Sequence, residues 1–517
     1  MNTVNTTVTF SSSSPGEPSF VIDKIDLSVK NFRKKYNDKN HFLSSENIKL
    51  HIGKQDWKLP GTNNEMRFSQ LNFSAKDQYF EIDSFHFSER AGKRNNATNL
   101  SADKFLFSSK QLSAFYEKDE LLLDTIILYH PVLYFRIGEK PSGKDSLHIV
   151  RNFIANLFTN INLNYIAVKE GQILISNAHK NSIYSTEKTD LKILNLNIKP
   201  ASDNYFTVGS VDLQLNQVRL YSKDSLFLLN IGEFGFNNND LVCKNVLFIP
   251  TEKNISSKGL NIFLPNIVLN DISFEELLQK KFQAVSAEFD RPDITINSRD
   301  RKNKKVPQPN GLYSFYNLLH GLGQLITVEK VNVVDGNVSL KLPSATASIT
   351  NINASIQLNN FLNSTSLFSI RQALPKLQAD EVKISSPGFN ILLNQLSTEG
   401  RIRKNRIGSF AFKLPGGGEV KGNNLFLENA DWDLFYKTNK LTADEFNIQK
   451  LSITGTQTQQ AVSKKNLTDV SIDKFHIGEL NFNYALLNKN HIKFFGQNIR
   501  LDGLSNNDRL FNWQHAT

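Results

Sequence analysis

The chain has 517 residues, of which 39% are hydrophobic, with 38 Phe, two Met, one Cys and a formal net charge of +10. A lone Cys243 excludes an internal disulfide framework and a cysteine-based zinc site, and the most apolar stretch, Leu121 to Phe135, is too short for a membrane helix and carries Asp124 and His130. The positive charge is spread along the chain, with small clusters at Arg299 to Lys305 and Arg401 to Arg406; with no nucleic-acid-binding signature beside it, nucleic acid is not an expected partner.

The first residues are Asn, Thr and Ser without a basic segment leading an apolar one, so no secretory signal is read there. Further on, one pattern recurs: apolar residues at fixed offsets around a pivot. Pro131 has Ile126, Leu128, Leu133 and Phe135, and Gly171 has Ile166, Val168, Ile173 and Ile175. Pro292 has Ala287, Phe289, Ile294 and Ile296, and Gly336 has Val331, Val333, Val338 and Leu340. Pro387 has Val382, Ile384, Phe389 and Ile391. Ala430 (Leu425, Leu427, Trp432, Leu434) and Leu480 (Phe475, Ile477, Phe482, Tyr484) keep the offsets without Gly or Pro at the pivot.

Alternation at period two marks strands, and a parity shift across the pivot is what a two-residue hairpin produces. Glu170-Gly171 and Asp335-Gly336 are therefore expected hairpins, pairing Val333 with Val338 and Val331 with Leu340. Proline cannot take positive φ, so Pro131, Pro292 and Pro387 must be another tight turn or a kinked strand junction. A smaller echo runs through Ile22-Asp23-Lys24-Ile25, Ala102-Asp103-Lys104-Phe105, Ala379-Asp380-Glu381-Val382, Ala443-Asp444-Glu445-Phe446 and Ile472-Asp473-Lys474-Phe475, where Asp is expected in the turn before a strand.

Helical spacing is read at Leu147, Val150, Phe153, Ile154, Leu157 and Phe158, and again at Leu312, Phe315, Tyr316, Leu319 and Leu322. A third short helix is expected from Ser273, with Glu276 closing a capping box and Leu277, Leu278 and Phe282 on its buried face. Polar linkers are expected at Glu89–Asn99, Gly138–Lys144, Asn297–Asn310 and Gly455–Thr468.

Pro131 to Pro292 is 161 residues and Gly171 to Gly336 is 165, so the two pivot types alternate in two successive units. The expectation is mainly β: one continuous, elongated antiparallel repeat sheet curved into a groove, with a few short helices between repeats. Its segments are 1–119, an N-terminal β segment; 120–280 and 281–440, two groove repeats; and 441–517, a partial repeat. The ending at Trp513 to Thr517, soon after a strand pattern, reads as a fragment.

No site chemistry emerges. The ten His residues form no metal motif, and His476 and His491 read as solvent-facing or hydrogen-bonded. There is no nucleophile elbow or phosphate loop; Gly416 to Gly418 reads as a strand connection, and Asp431 and Asp433 as a solvated pair. No catalytic residue, metal ligand or cofactor is expected.

The segment Ile272-Ser-Phe-Glu-Glu-Leu-Leu278 with Phe289-Asp-Arg-Pro-Asp-Ile-Thr-Ile296, and the run Ile326 to Leu340 with its counterpart Ile161 to Ile175, resemble the AsmA-like family of bacterial envelope proteins, across most of residues 100 to 485. The resemblance implies a β-groove with an apolar inner face in the periplasm of a didermal bacterium, and a role in moving phospholipid to the outer membrane. Members usually begin with a membrane helix, so membrane association is expected through a segment absent from this chain. On this reading the groove is lined by the apolar residues named at Pro131, Gly171, Pro292, Gly336 and Pro387, Ala287 excepted, and the partner is phospholipid or another acyl lipid. The alternative is a structural or adhesive β-repeat protein in which the same residues fill a dry core. Oligomeric state is left open.

Overall fold

A computed structural model describes residues 1–10, 20–32, 45–58, 64–89, 97–109, 120–136, 160–177, 182–198, 206–221, 227–237, 239–252, 258–272, 282–298, 326–357, 374–399, 403–413, 417–431, 440–456, 469–486, 490–507, 510–512 and 515–516. It is nearly all β, with no helix among these residues. The chain divides into two compact units, Met1–Cys243 and Lys244–Thr517.

Unit one carries β1 (Asn2–Phe10), β2 (Phe20–Lys30), β3 (Asn47–Ile52), β4 (Gln55–Lys58), β5 (Asn64–Phe68), β6 (Gln70–Ser74), β7 (Tyr79–Glu89) and β8 (Ala97–Ser108). It continues with β9 (Glu120–Tyr129), β10 (Val132–Arg136), β11 (Asn160–Ser176), β12 (Ser182–Ser185), β13 (Lys188–Ile198), β14 (Phe206–Thr207), β15 (Ser210–Tyr221) and β16 (Phe227–Asn237). Strand β17 (Asp240–Pro250) spans the boundary in sequence. Unit two follows with β18 (Lys258–Asn270), β19 (Phe282–Asp290), β20 (Asp293–Ser298), β21 (Ile326–Leu342), β22 (Ala345–Gln357), β23 (Lys376–Ser385) and β24 (Asn390–Glu399). It ends with β25 (Lys404–Lys413), β26 (Glu419–Glu428), β27 (Lys440–Thr456), β28 (Asp469–Ala485), β29 (His491–Asn507), β30 (Leu510–Asn512) and β31 (His515–Ala516).

The β-rich sheet expected is present, and within each unit it is mixed. Antiparallel pairs dominate, but β9 and β10 both run parallel to β11. In unit two β19 and β20 run parallel to β21, and β27 to β28. Parallel neighbours cannot be joined by a tight turn, so these pairs need longer connections than the hairpins do.

The expected hairpins at Gly171 and Gly336 are not hairpins. Strands β11 and β21 run unbroken through them for 17 residues each, so Val333 faces Ala354 on β22 and Phe289 on β19, not Val338. The parity shift comes from a β-bulge instead. Asp335 and Glu170 sit at φ 52 and 54, in the left-handed region, and each inserts one extra residue against the neighbouring strand. Opposite Asp335, Asn351 at φ 52 inserts one on β22, so the two bulges cancel and the register is restored. Asn5 on β1 and Lys24 on β2 repeat that arrangement.

A left-handed non-glycine residue costs about 1–2 kcal/mol, and Asn and Asp tolerate it best because their short side chains bond locally. Here the neighbouring strand helps. The Asn5 amide donates to Asp26 Oδ1 at 2.7 Å, that of Glu170 to Asp190 Oδ1 at 2.9 Å, and that of Asp335 to Asn353 Oδ1 at 3.2 Å. Each bulge therefore keeps its displaced N–H paired.

At Pro131 and Pro292 the structure shows the kinked junction. His130 (φ 47) and Arg291 (φ 48) precede the prolines, separating β9 from β10 and β19 from β20 on one line. Pro387 differs: it lies in a hairpin turn, closed by the Ser386 amide donating to the Phe389 carbonyl at 2.9 Å. Leu480 is interior to β28, and Ala430 is fully buried just beyond β26. Trp432, Leu434 and Asp433 lie outside the described residues.

The Asp residues of the smaller echo lie inside β2, β8, β23, β27 and β28, not in turns before them. Asp380 accepts from Asn351 Nδ2 at 2.8 Å and Asp444 from Asn429 Nδ2 at 2.6 Å, both donors being left-handed residues. The expected helices over 147–158, 273–281 and 312–322, and most of the four linkers, lie outside the described residues. Phe282, placed on a helix by its spacing, opens β19.

Candidate functional site

Bulges matter to the site because they keep apolar residues on one face of each long strand. In unit one a rung of registered partners runs from Ile25 through Ile52, Leu71, Ile82, Phe105, Leu128, Val168, Leu191 and Leu213 to Phe236, crossing ten strands without a polar residue. A second rung joins Phe73, Phe80, Phe107, Ile126, Ile166 and Ile193. Its Phe rings stack at centroid distances of 4.2 Å (Phe73 on Phe80) and 4.3 Å (Phe80 on Phe107). Leu133 with Ile173, and Phe135 with Ile175, begin further rungs beyond the bulge line.

Unit two repeats the arrangement. One rung passes from Ile296 through Leu340, Ala347, Ile384, Ile391, Phe412, Val420, Ile453 and Phe482 to Phe494. The adjacent one contains Ile294, Val338, Ile349, Val382, Leu393 and Phe410. Phe289 pairs with Val333, and Val331 with Ala287, on the far side of the bulges. Every expected lining residue therefore occupies a rung on one face of its unit's sheet, except Phe389, which is exposed in the Ser386 turn.

Their burial is the informative property. Val331 is buried and Phe135 is exposed, while the other rung residues of the expected set are all half-buried. Side chains sealed between two packed layers are ordinarily driven below a tenth exposure, a level that rung residues such as Ile25, Ile52, Phe73, Phe236 and Phe410 reach and most others do not. The sequence reading missed the rung partners Phe105, Leu191, Ile349 and Phe410, although the same alternation marks them.

The opposite face is polar. In unit two it presents Glu381, Asn394, Ser409, Asn423, Lys450 and Glu479 in one registered row, with Lys450 Nζ 3.2 Å from Glu479. In unit one, at the Pro131 bulge, His130 Nδ1 lies 2.9 Å from Asp103 and Nε2 3.3 Å from Glu170, whose other oxygen accepts from Lys188 at 2.9 Å. That hydrogen bond holds the Glu170 carboxyl below the usual carboxylate range and the Lys188 ammonium above its own. The cluster lines a shallow open depression with Gln172 and Glu187. All its ion pairs are solvated, and no nucleophile lies among them.

Among the described residues no three His, Cys, Asp or Glu side chains are grouped to hold a metal ion. His476 lies in β28 with Nδ1 3.2 Å from Asn447 Oδ1, and His491 is exposed at the start of β29. Cys243 is buried, which pushes its thiol up to about 12. No helix among the described residues is long and apolar enough to cross a membrane. No protein-family model matches the chain, and no curated protein is significantly similar to it in sequence.

Proposed function

We propose that the chain is a non-enzymatic envelope protein of the AsmA-like kind that binds or conducts phospholipid in the periplasm of a didermal bacterium, the acyl chains lying on the apolar rungs and the headgroup in solvent. The observation that carries this reading is that unbroken apolar rungs up to ten strands wide stay largely half-buried, with Ile25, Ile52, Phe73, Phe236 and Phe410 the buried members. Exposing a sixteen-carbon acyl chain to water costs about 12 kcal/mol at about 0.8 kcal/mol per methylene, and contact with such a face offsets most of it. Successive rungs have the same chemistry. A chain can therefore slide between sites of nearly equal energy, which conduction between inner and outer membrane requires and a single deep pocket would oppose.

The test is lipid extraction and native mass spectrometry of the purified chain, followed by Val333→Asp and Phe289→Asp. Bound phospholipid that is lost in both variants, with the fold retained, supports the reading. A folded chain that carries no lipid, in which the same substitutions instead sharply lower the melting temperature, would establish a closed core and a structural role.

A further inference from the structure

Each unit has one long strand with an open edge. Among the described residues β1 pairs with β2 alone. Among the described residues, 491–500 of β29 pair only with β28, while β30 and β31 cover its later part. Both edges carry exposed apolar side chains: Val4 is 76% exposed on β1, and on β29 Ile492, Phe494 and Phe495 are 49%, 52% and 59% exposed. An uncovered edge of this length is a template for another strand.

We propose that copies of this chain join head to tail, the open stretch of β29 in one copy pairing antiparallel with β1 of the next. Charge selects this pairing over β29 with itself. The open stretch of β29 carries Lys493 and Arg500 and no carboxylate, so self-pairing brings like charges together, whereas β1 has no charged side chain.

The bulges supply the register. In the two antiparallel pairs where left-handed residues interior to both strands face each other, the residues just after them are partners: Gly336 with Ile352, and Thr6 with Ile25. Strands β1 and β29 carry left-handed Asn5 and Asn498. The same rule sets Thr6 opposite Ile499, Val8 opposite Gly496 and Phe10 opposite Phe494. Phe494 ends the wide unit-two rung, and Gly496 and Ile499 are the β29 partners of the apolar Leu480 and Ile477 on β28, so the apolar face continues into the next copy in register.

Such a contact uses different surfaces on the two copies and does not close on itself unless the rotation permits a ring. Sedimentation over a concentration series should show wild-type mass growing past the dimer. Val8→Lys and Phe494→Lys should each remain monomeric, and their equimolar mixture should form a 1:1 dimer that grows no further. A wild-type chain that stays monomeric with a native circular dichroism spectrum overturns the proposal, and so does a Val8→Lys chain that still dimerises through β29. A second measurement covers the case in which Val8→Lys detaches β1. Thr6→Cys mixed with Ile499→Cys should give a cross-chain disulfide under oxidised glutathione, and absence of that link also overturns the proposal.

Discussion

Pro292 and Gly336 face each other across the parallel strands β20 and β21 so closely that a Cβ on Gly336 would lie 3.0 Å from Pro292 Cγ and 2.9 Å from Val333 Cγ1. Pro131 and Gly171 make the same contact in unit one, at 3.1 Å and with Val168 Cγ1 at 2.9 Å. The backbone matches as well: the Asn337 amide donates to the Pro292 carbonyl at 2.6 Å and that of Gln172 to Pro131 at 2.7 Å. Each proline, together with the valine three residues before the glycine, therefore leaves no room for a Cβ on the neighbouring strand, which fits the pairing of the two pivot types.

Gly336→Ala is accordingly expected to cost about 1–3 kcal/mol through overpacking, with Gly171→Ala similar. Pro292→Ala should recover part of the loss, since it removes one of the two close atoms. A double-mutant cycle on thermal unfolding reads the coupling, and additivity of the two changes would show that the contact does not constrain the glycine.

The alternating apolar pattern was legible because it is local in sequence. The connection was not. A two-residue hairpin and a one-residue bulge shift the inside-outside parity identically, so Val333 and Val338 look alike in either case. What separates them is the partner strand, β22 with its own bulge at Asn351 and β19 running parallel, and neither is written near Gly336. A clue was present in Asp335, Asn351, Asn424 and Asn498, all left-handed and all of the Asx type that favours this geometry. The lining residues were legible as positions; their half-burial was not, because it depends on what stands across from the sheet face.

The bulge geometry makes residue type at Asp335 predictable. Asp335→Val places a β-branched residue at φ 52 and removes the carboxylate that accepts from Asn353 Nδ2 at 3.2 Å. Asp335→Gly loses the same bond but relieves the backbone. The valine variant should therefore be the less stable by about 1–2 kcal/mol in denaturant titration. Equal stability would mean that the left-handed conformation carries no cost here.

Gly422 tests the rungs of unit two. It sits between Phe410 on β25 and Leu451 on β27, and a Cβ there would approach Phe410 Cζ at 2.5 Å and Ile448 Cδ1 at 2.6 Å. Those two side chains close over the glycine to form a buried cluster with Ile477. Gly422→Val should lower the melting temperature, by about 1–3 kcal/mol in stability, more than Val420→Ala on the half-buried neighbouring rung does. The reverse order would show that Phe410 and Ile448 repack freely.

The ion pair at the unit-one bulge has a signed pH dependence. Glu170 is held below its ordinary value, chiefly by the hydrogen bond from Lys188, so its contribution is present above the unfolded carboxylate value and lost as pH falls through the lower, folded one. Lys188 is raised, chiefly by the same bond, so its contribution is present below the unfolded ammonium value and lost as pH rises through the higher, folded one. Both groups are fully solvated, and the expected effect is small. Glu170→Gln should flatten the acid limb of the melting temperature against pH, and Lys188→Met should flatten both limbs. A variant profile parallel to wild type across the acid limb would mean the pair contributes nothing to the fold.

Cys243 gives the last expectation a single reporter. Burial disfavours its thiolate, so its value of about 12 leaves the neutral thiol in place at physiological pH. Because the folded value is raised, the stability it contributes is present below the unfolded thiol value and is lost as pH climbs toward the folded one. Maleimide should label the native chain far more slowly than the urea-unfolded chain at the same pH, the native rate being set by opening of the sheet around β17. Rapid native labelling at neutral pH would show that the thiol is accessible and its burial is not maintained in solution.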